Sequence, residues 1–397
     1  EPDLIRDVLV VNAHQFKKGR ALQRARQLLG NGLLTNEGES HLRQRRMIQP
    51  AFHRARIAEY ARSMVEFADK MSNNWRDGDV LDIDKEMMHL TLQIVAKTLF
   101  DAVVDNEADK IGKSMSDLVA LFNYLLLPFS EWLQKLPLPH SRRFARARDT
   151  LNSVIYGIIN ERRASGEDRG DLLSMLLQAQ DENDGATMTD EQVRDEALTL
   201  FLAGHETTAN ALTWTWYLLS QNTDKEAELH QELDKLLAGR TPTFDDVPRL
   251  KYTEAVLAES MRLYPPAWAI GRLALEEHQI GGYHLPAGSL VLMSPYVTHR
   301  DPRHWTEAEK FAPERWLDHG VKEASQKYTY FPFGGGIRRC IGESFAWTEG
   351  ILTLATLAQR WKLRLMPEQK IGLSAMMTLR PKYGMRMIAE ARALART

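Results

Sequence analysis

The stretch Phe331-Pro-Phe-Gly-Gly-Gly-Ile-Arg-Arg-Cys-Ile-Gly-Glu343 contains the only cysteine of the chain, Cys340. Three consecutive glycines allow a backbone to bend sharply and to approach a flat ligand closely. A helix is predicted to begin near Gly342, so its first N–H groups would face the sulfur and favour the thiolate. A soft thiolate suits iron. The stretch therefore predicts that Cys340 is a metal ligand.

A lone cysteine is more often a small buried hydrophobe, which is the alternative to a metal ligand. Arg338 and Arg339 directly precede Cys340, and a cysteine that only packs would not need them. Arginine can bind a carboxylate through two parallel hydrogen bonds, and haem carries two propionates. The arginines favour a haem-binding loop, in which the thiolate would promote O–O cleavage.

The composition excludes several other classes of protein. The 397 residues are 44% hydrophobic and 26% charged, with a formal net charge of -2, which offers no general attraction to nucleic acid. A single cysteine excludes internal disulfides and multi-cysteine zinc or iron–sulfur sites, and it fits a reducing compartment. We find no signal peptide and no run of about 18 apolar residues, so we expect a cytoplasmic protein.

Helical periodicity dominates the sequence, which predicts a mainly α fold with a small β region in one domain over residues 1–397. Helices are predicted at Ile57–Asn73, Met87–Phe100, Asp109–Leu126, His140–Arg163, Asp190–Ser220, Lys225–Leu237, Tyr252–Leu263 and Gly342–Arg360. Strands are predicted at Leu273–Leu275, Ser289–Pro295 and Leu363–Leu365. Breakers concentrate at Leu136–His140, Asp181–Ala186 and Glu277–Ser289.

The longest predicted helix contains Ala203-Gly-His-Glu-Thr-Thr208. An interior glycine costs about 1 kcal/mol relative to alanine, and threonine competes for backbone hydrogen bonds. Local conflicts of this kind are found at functional sites, although a kinked core helix would also tolerate them. Ala203 and Thr207 lie one turn apart, so they could leave room for a ligand, and the Thr207 hydroxyl could relay a proton.

Two further groups of charged residues have helical spacing. Glu259 and Arg262 are three residues apart, which on an exposed helix would contribute only about 0.2–0.5 kcal/mol. His41 and Arg45 are four residues apart and share a face. Taken alone, each group could be a solvated helix face.

The spacing of Phe333, Gly336, Arg338, Cys340 and Gly342 resembles the cysteine-ligand loop of the cytochrome P-450 family. The Ala203–Thr208 motif resembles that family's oxygen-activation motif, which implies that Thr207 donates a proton to dioxygen and that Glu206 belongs to the proton-feeding pair. The resemblance covers nearly the whole chain. Pro2–Val11 resembles the family's second helix, so we expect the first helix and the opening strands to be absent from this sequence.

The resemblance also assigns the other site residues. It implies a buried ion network of Glu259, Arg262 and Arg315 that shapes the core. It implies a haem b site in which Cys340 is the axial ligand. The expected cofactor contacts are His41, Arg45, Ala203, Gly204, Arg272, Phe333 and Arg338, and the expected pocket residues are Leu33, Leu34, Phe201, Ala203, Gly204, Ala267, Ile270, Met376 and Met377.

The implied activity is insertion of one atom of dioxygen into a small apolar substrate. Electrons would come from a ferredoxin or flavodoxin with its NAD(P)H reductase. This partner is expected to dock near Arg43, Arg46, Arg54, Arg56 and Arg339, although a solvated charged face is the alternative. Two rival functions stay open, a peroxide-driven peroxygenase and a non-catalytic haem sensor or carrier.

Overall fold

The computed structural model describes residues 1–102, 111–115, 117–118, 136, 138–180, 185 and 187–392. The fold is mainly α, as predicted. Its α-helices are α1 (Pro2–Arg6), α2 (Arg20–Leu29), α3 (Gly38–Ile48), α4 (Arg54–Asn74), α5 (Ile83–Phe100), α6 (Pro139–Ser165), α7 (Leu172–Gln178), α8 (Asp190–Gln221), α9 (Thr223–Leu237), α10 (Lys251–Leu263), α11 (Pro295–Thr298), α12 (Arg315–Gln326) and α13 (Glu343–Ala358). Short π or 3-10 turns lie at Asp7–Val11, Ala13–Gln15, Gln49–Phe52, Phe244–Arg249 and Gly336–Arg338.

Within the described residues, the strands form four small antiparallel sheets. They are β1 (Phe16–Lys18), β2 (Val80–Asp82), β3 (Ile270–Ala274), β4 (His278–Ile280), β5 (Tyr283–Leu285), β6 (Leu290–Met293), β7 (Trp361–Leu365), β8 (Leu373–Ala375), β9 (Leu379–Pro381) and β10 (Arg386–Ala391). The sheet orders are β1-β3-β6, β2-β10-β7, β4-β5 and β8-β9. In the first sheet, Lys18 pairs with Arg272, which brings two basic residues to one position.

The predicted helices agree with α4, α5, α6, α8, α9, α10 and α13 to within a few residues, while Asp109–Leu126 lies mainly outside the described residues. The predicted strands overlap β3, β6 and β7, although Leu273–Leu275 shares only its first two residues with β3. The other strands were missed because most have only three residues, too few for a period-two pattern. Gly281 and Gly282, taken as breakers, have φ of +56° and +82° and form the tight turn of the β4–β5 hairpin.

Helix α8 runs through the core and is surrounded by other helices. Its start is fixed by a capping box, in which the Thr189 hydroxyl accepts from the Gln192 N–H and the Gln192 side chain accepts from the Thr189 N–H. Trp214 and Trp216 are fully buried, as expected for the core side of this helix. Helices α5, α10 and α13 pack against it. A rigid, buried helix of this length can hold a functional side chain in place.

Among the described residues, no helix combines the length and the apolar character needed to cross a bilayer.

Candidate active site

Cys340 lies in a tight loop immediately before α13. Its N–H donates to the Phe333 carbonyl at 2.9 Å, and Gly342 occupies the N-cap position of α13, as the sequence predicted. Gly336 has φ of +64°, and a Cβ added there would lie 1.9 Å from the carbonyl oxygen of Leu9. A side chain is therefore excluded at Gly336, and the glycine allows the loop to pack against the N-terminal turn.

The thiol of Cys340 is accessible although protein atoms crowd around it. The residue is exposed, which means that it faces an open space. Burial nevertheless raises the pKa of the thiol to about 11, while the Gly342 N–H, Arg45 and Arg339 act in the opposite direction. The Gly342 N–H favours the thiolate, as expected, but the opposing effect of desolvation is larger. Coordination to a metal ion would itself remove the thiol proton.

A strip on α8 is more open than the rest of the helix. Every residue from Val193 to Trp216 is buried except Ala203, Gly204 and Thr207, which are half-buried. We call this strip the recess. A Cβ added at Gly204 would lie 3.0 Å from the Val95 side chain on α5, so the glycine also permits the close approach of α5 and α8. The motif thus combines a close helix–helix contact with three partly exposed positions.

Glu206 and Thr207 point to different partners. The Thr207 hydroxyl donates to the Ala203 carbonyl at 2.7 Å. The Glu206 carboxylate accepts from the Thr378 hydroxyl at 2.5 Å and lies 3.9 Å from Arg380 Nε. Burial raises the pKa of Glu206, against the effect of Arg380 and Thr378. The two side chains are adjacent in sequence but are not hydrogen-bonded to each other here.

A cluster of basic side chains lies near the Cys340 loop; we call Lys18, His41, Arg272 and Arg338 the cation cluster. All but Arg338 are nearly inaccessible to solvent, and Arg338 is half-buried. Burial, followed by the charges of Lys18 and Arg338, lowers the pKa of His41 to about 4. Burial and then Arg338 lower the pKa of Arg272 to about 10. The cluster therefore brings two arginines and a lysine together with a neutral imidazole in a poorly solvated part of the protein.

Only one carboxylate, that of Glu37, neutralises Arg338 among the described residues. Glu37 accepts from Arg338 at 2.7 Å and also from the backbone N–H of Lys18. The Nε atom of Arg338 is buried without a hydrogen-bond partner in the described part of the chain. An excess of buried positive charge and an unpaired donor fit a ligand that carries carboxylates, so these residues suit the propionates of haem.

Sequence reasoning missed Lys18 and Glu37. Burial lowers the pKa of Lys18 to about 7, with Glu37 raising it and Arg338 lowering it. A lysine in a three-residue strand has no distinctive pattern, and only its pairing with Arg272 places it in the cluster. Arg45, which was expected in the cluster, instead donates to the Arg339 carbonyl at 2.7 Å. It thereby connects α3 to the Cys340 loop.

The ion network on α10 has the expected members and additional donors. Glu259 and Arg262 are fully buried, and Glu259 accepts from Arg262 Nε at 2.8 Å and from Arg315 Nε at 3.0 Å. The Trp316 indole N–H and the Ala312 N–H also donate to Glu259, at 2.9 and 3.0 Å. Every lone pair of the carboxylate is used, which such a deeply buried charge requires.

Several of the expected pocket residues are brought close to α8. The β8–β9 turn that carries Met376 is joined to α8 through Thr378, and the Met376 carbonyl accepts from the Trp268 indole at 2.9 Å. Five of these residues are half-buried: Leu34, Ala267, Ile270, Met376 and Met377. Phe201 differs from them, since it is 4% exposed and its ring lies 5.5 Å from that of Phe100. We therefore assign Phe201 to helix packing and not to the open face.

Phe333, an expected cofactor contact, is half-buried, and its ring lies 5.8 Å from that of Trp347.

The family model named Cytochrome P450 matches residues 1–387 of this chain. The chain belongs to the cytochrome P450 family. Cyclooctatin synthase of Streptomyces melanosporofaciens is 43% identical, over 98% of this chain and 85% of that protein. Cyclooctat-9-en-7-ol 5-monooxygenase of the same organism is 41% identical, over 92% and 80%. Pentalenene oxygenase of Streptomyces avermitilis is 36% identical, over 98% and 87%.

As a member of the cytochrome P450 family, the protein is an oxidoreductase that uses haem iron. It is a haem-thiolate monooxygenase, which inserts one atom of dioxygen into an apolar organic substrate with electrons from a redox partner. The family and the class of activity inferred from the sequence are confirmed. The rival non-catalytic function is not supported by these relatives, two of which are named as oxygenases.

Proposed function

We propose that this cytochrome P450 binds haem b through the Cys340 thiolate, within a single domain over residues 1–397. The observation that carries the proposal is the accessible cysteine in a glycine loop that admits no side chain at Gly336. Arg338, Arg272 and His41 would bind the propionates, together with Lys18. Ala203 and Gly204 would face the ring from α8, and Phe333 would pack beneath it. Bound haem supplies the activation of dioxygen, and the protein supplies the ligand and the dry pocket.

Replacement of Cys340 tests the ligand. The reduced wild-type protein with carbon monoxide should absorb at the position typical of thiolate-ligated haem. Cys340→Ala should lose that band, because alanine offers no ligand atom. Arg339→Ala, which changes the neighbouring exposed residue, should keep it. Retention of the band in Cys340→Ala would exclude this cysteine as the ligand.

We propose that Thr207 delivers a proton from the recess, with Glu206 as its source. Both side chains lie on α8, and the raised pKa of Glu206 keeps its carboxyl able to hold a proton. Since Glu206 is bound to Thr378, proton transfer needs a rotation of Glu206 or an intervening water. Thr207→Ala should retain haem but release peroxide in place of product. Thr207→Ser, which keeps the hydroxyl, should remain coupled, and equal coupling in both variants would refute the role.

We propose a polycyclic, unsaturated hydrocarbon or its alcohol as the substrate class, for which a terpene is the model. The names of two relatives describe such compounds, pentalenene and cyclooctat-9-en-7-ol. The half-buried Leu34, Ile270 and Met376 offer apolar surface to a ligand of this kind. Optical titration of the holoprotein with these two compounds, and with a fatty acid as the comparison, tests the proposal. A response to the fatty acid alone would contradict it.

We propose that the electron donor is an acidic ferredoxin or flavodoxin with an NAD(P)H reductase, and that it docks beside Cys340. Arg45 joins α3 to the Cys340 loop, so the basic residues of both segments share one region. Arg56 pairs with Glu59 and Arg339 pairs with Glu343. Arg46 and Arg54 are exposed. The members proposed for this surface are Arg43, Arg46, Arg54, Arg56 and Arg339.

Charge reversal tests this surface. Arg46→Glu with Arg54→Glu should slow reduction by a surrogate ferredoxin at low salt, because steering by opposite charges speeds encounter and is screened by salt. Reduction by dithionite should not change. Arg386→Glu, on an exposed position of β10, is the control. Equal ferredoxin-driven rates in all three proteins across a salt series would remove this surface from consideration.

A further inference from the structure

The segment Gly30–Asn36 connects α2 to α3 and is held in place by three buried ionisable side chains. The N–H of Asn31 donates to Asp195 at 2.7 Å, and the N–H of Leu33 donates to Glu196 at 2.9 Å. The Leu33 carbonyl accepts from Lys18 Nζ at 2.8 Å. Leu33 is therefore bound on its N–H side by an acid and on its carbonyl side by a base.

These three side chains are almost completely removed from solvent. Lys18 and Asp195 are each 4% exposed, and Glu196 is 0% exposed. Lys18 also donates to the Asn36 carbonyl at 2.5 Å, so it holds both ends of the stretch that contains Leu34. Removal of one partner of such a buried hydrogen bond leaves the other polar group without a partner and out of contact with water, which is costly. The segment is consequently fastened more firmly than an ordinary connecting loop.

The segment lies directly on α8. A Cβ added at Gly32 would lie 2.2 Å from the Thr199 hydroxyl, so the backbone touches α8 at that residue. Thr199, Ala203 and Thr207 are spaced by four residues and therefore share one face of the helix. Gly32 thus lies about one helical turn, roughly 5 Å, from the first residue of the recess. Leu33, which is 8% exposed, and the half-buried Leu34 directly follow Gly32 in the chain.

We propose that Lys18, Asp195 and Glu196 are positioning residues that fix Leu33 and Leu34 at the end of the recess and so determine which ligands fit beside the haem. None of the three needs to touch the ligand. They act through hydrogen bonds to the backbone of the segment that carries the two leucines. The inference rests on the proposed function, because it takes the recess to be the substrate side of a haem.

Lys18 links this segment to the cation cluster. Its backbone N–H donates to Glu37, and Glu37 binds Arg338. Its side chain binds the segment, while its strand partner is Arg272. A change at Lys18 should therefore affect both the cofactor contacts and the leucines, whereas a change at Glu196 should affect the leucines alone. The two positions distinguish local release of the segment from loss of the cofactor.

The test uses the holoprotein and two azole probes that ligate haem iron, imidazole and 4-phenylimidazole. Imidazole is too small to reach the leucines, so it reports on the haem itself. Glu196→Ala leaves the Leu33 N–H unpaired and should weaken 4-phenylimidazole binding relative to imidazole by about three- to tenfold. Glu196→Gln retains an acceptor oxygen and should stay within about twofold of wild type. Glu226→Ala is the matched control, because Glu226 lies on α9 and is a similarly buried carboxylate, which pairs with Arg364.

Hydrogen exchange provides a readout that does not depend on ligand binding. Amide exchange in the peptide that contains Asn31 and Leu33 should accelerate by about tenfold in Glu196→Ala and in Lys18→Met, but not in Glu226→Ala. Lys18→Met tests the same segment if Glu196→Ala does not fold. Wild-type exchange in both variants would overturn the inference.

An unchanged azole ratio with accelerated exchange would also overturn the inference, since the leucines would then not control the pocket. If wild-type protein binds neither azole, the proposed haem function itself fails, and the inference falls with it.

Discussion

Glu349 on α13 is a fully buried carboxyl group whose charge we expect to be suppressed in the folded protein. It is 0% exposed, and neither oxygen has a hydrogen-bond partner in the described part of the chain. Burial raises its pKa to about 8, and the nearby Thr208 hydroxyl only partly opposes this. We therefore expect Glu349 to remain protonated at pH 7 when folded and to ionise when the chain unfolds.

This difference makes stability depend on pH. Below the unfolded pKa of 4.5 both states hold the proton, so Glu349 has no effect on the pH dependence. Between pH 4.5 and about 8 only the unfolded chain ionises, and the free energy of unfolding falls by about 1.4 kcal/mol per pH unit. From pH 5.5 to 7.5 the loss is about 3 kcal/mol. Glutamine cannot ionise, so Glu349→Gln should remove that loss.

Urea denaturation followed by tryptophan fluorescence at pH 5.5 and 7.5 measures the effect. A chain of this size should have a urea m-value of about 3 kcal/mol per M or more. Between pH 5.5 and pH 7.5, the urea midpoint of the wild type should therefore fall by up to about 1 M more than the midpoint of Glu349→Gln. Burial of the amide adds an offset at both pH values, which cancels in the comparison. Glu368→Gln, at an exposed position, should behave like wild type. Parallel pH profiles for wild type and Glu349→Gln would show that Glu349 is ionised in the folded protein and refute the reasoning.

Two further predictions concern the loop and the ion network. Gly336→Ala should lower haem incorporation strongly, because φ is positive at this residue and the added Cβ would lie 1.9 Å from the Leu9 carbonyl oxygen. In Gly342→Ala the added Cβ makes only an ordinary 3.6 Å contact, so this control variant should retain haem. Equal haem content in the two variants would contradict this prediction. Glu259→Ala should destabilise the protein by about 3–5 kcal/mol, since it leaves the buried Arg262 without a carboxylate. Glu254→Ala removes only the ion pair with the exposed Lys251 and should cost below about 1 kcal/mol; similar thermal midpoints for these two variants would count against the network.

Residues that are close in sequence determined most of what could be predicted about the site. The glycine loop, Cys340 and the N-cap Gly342 lie within about ten residues, so their backbone geometry follows from local chemistry. Helix α8 was predictable because its periodicity is long and Thr189 and Gln192 cap it. The Glu259–Arg262 pair was visible as a helical spacing, although its burial was not.

Other features depend on contacts between distant segments, which only the tertiary structure decides. Lys18 belongs to the cation cluster because β1 pairs with β3. Glu206 binds the hydroxyl of Thr378, 172 residues away, and not that of its neighbour Thr207. Glu196 reaches Leu33 across 163 residues. A carboxylate has no preferred partner in sequence; desolvation and the groups that packing brings near it determine its hydrogen bonds and its charge. The sequence by itself therefore determined the loop, the helices and the family, and the packing determined which charges meet and which remain unpaired.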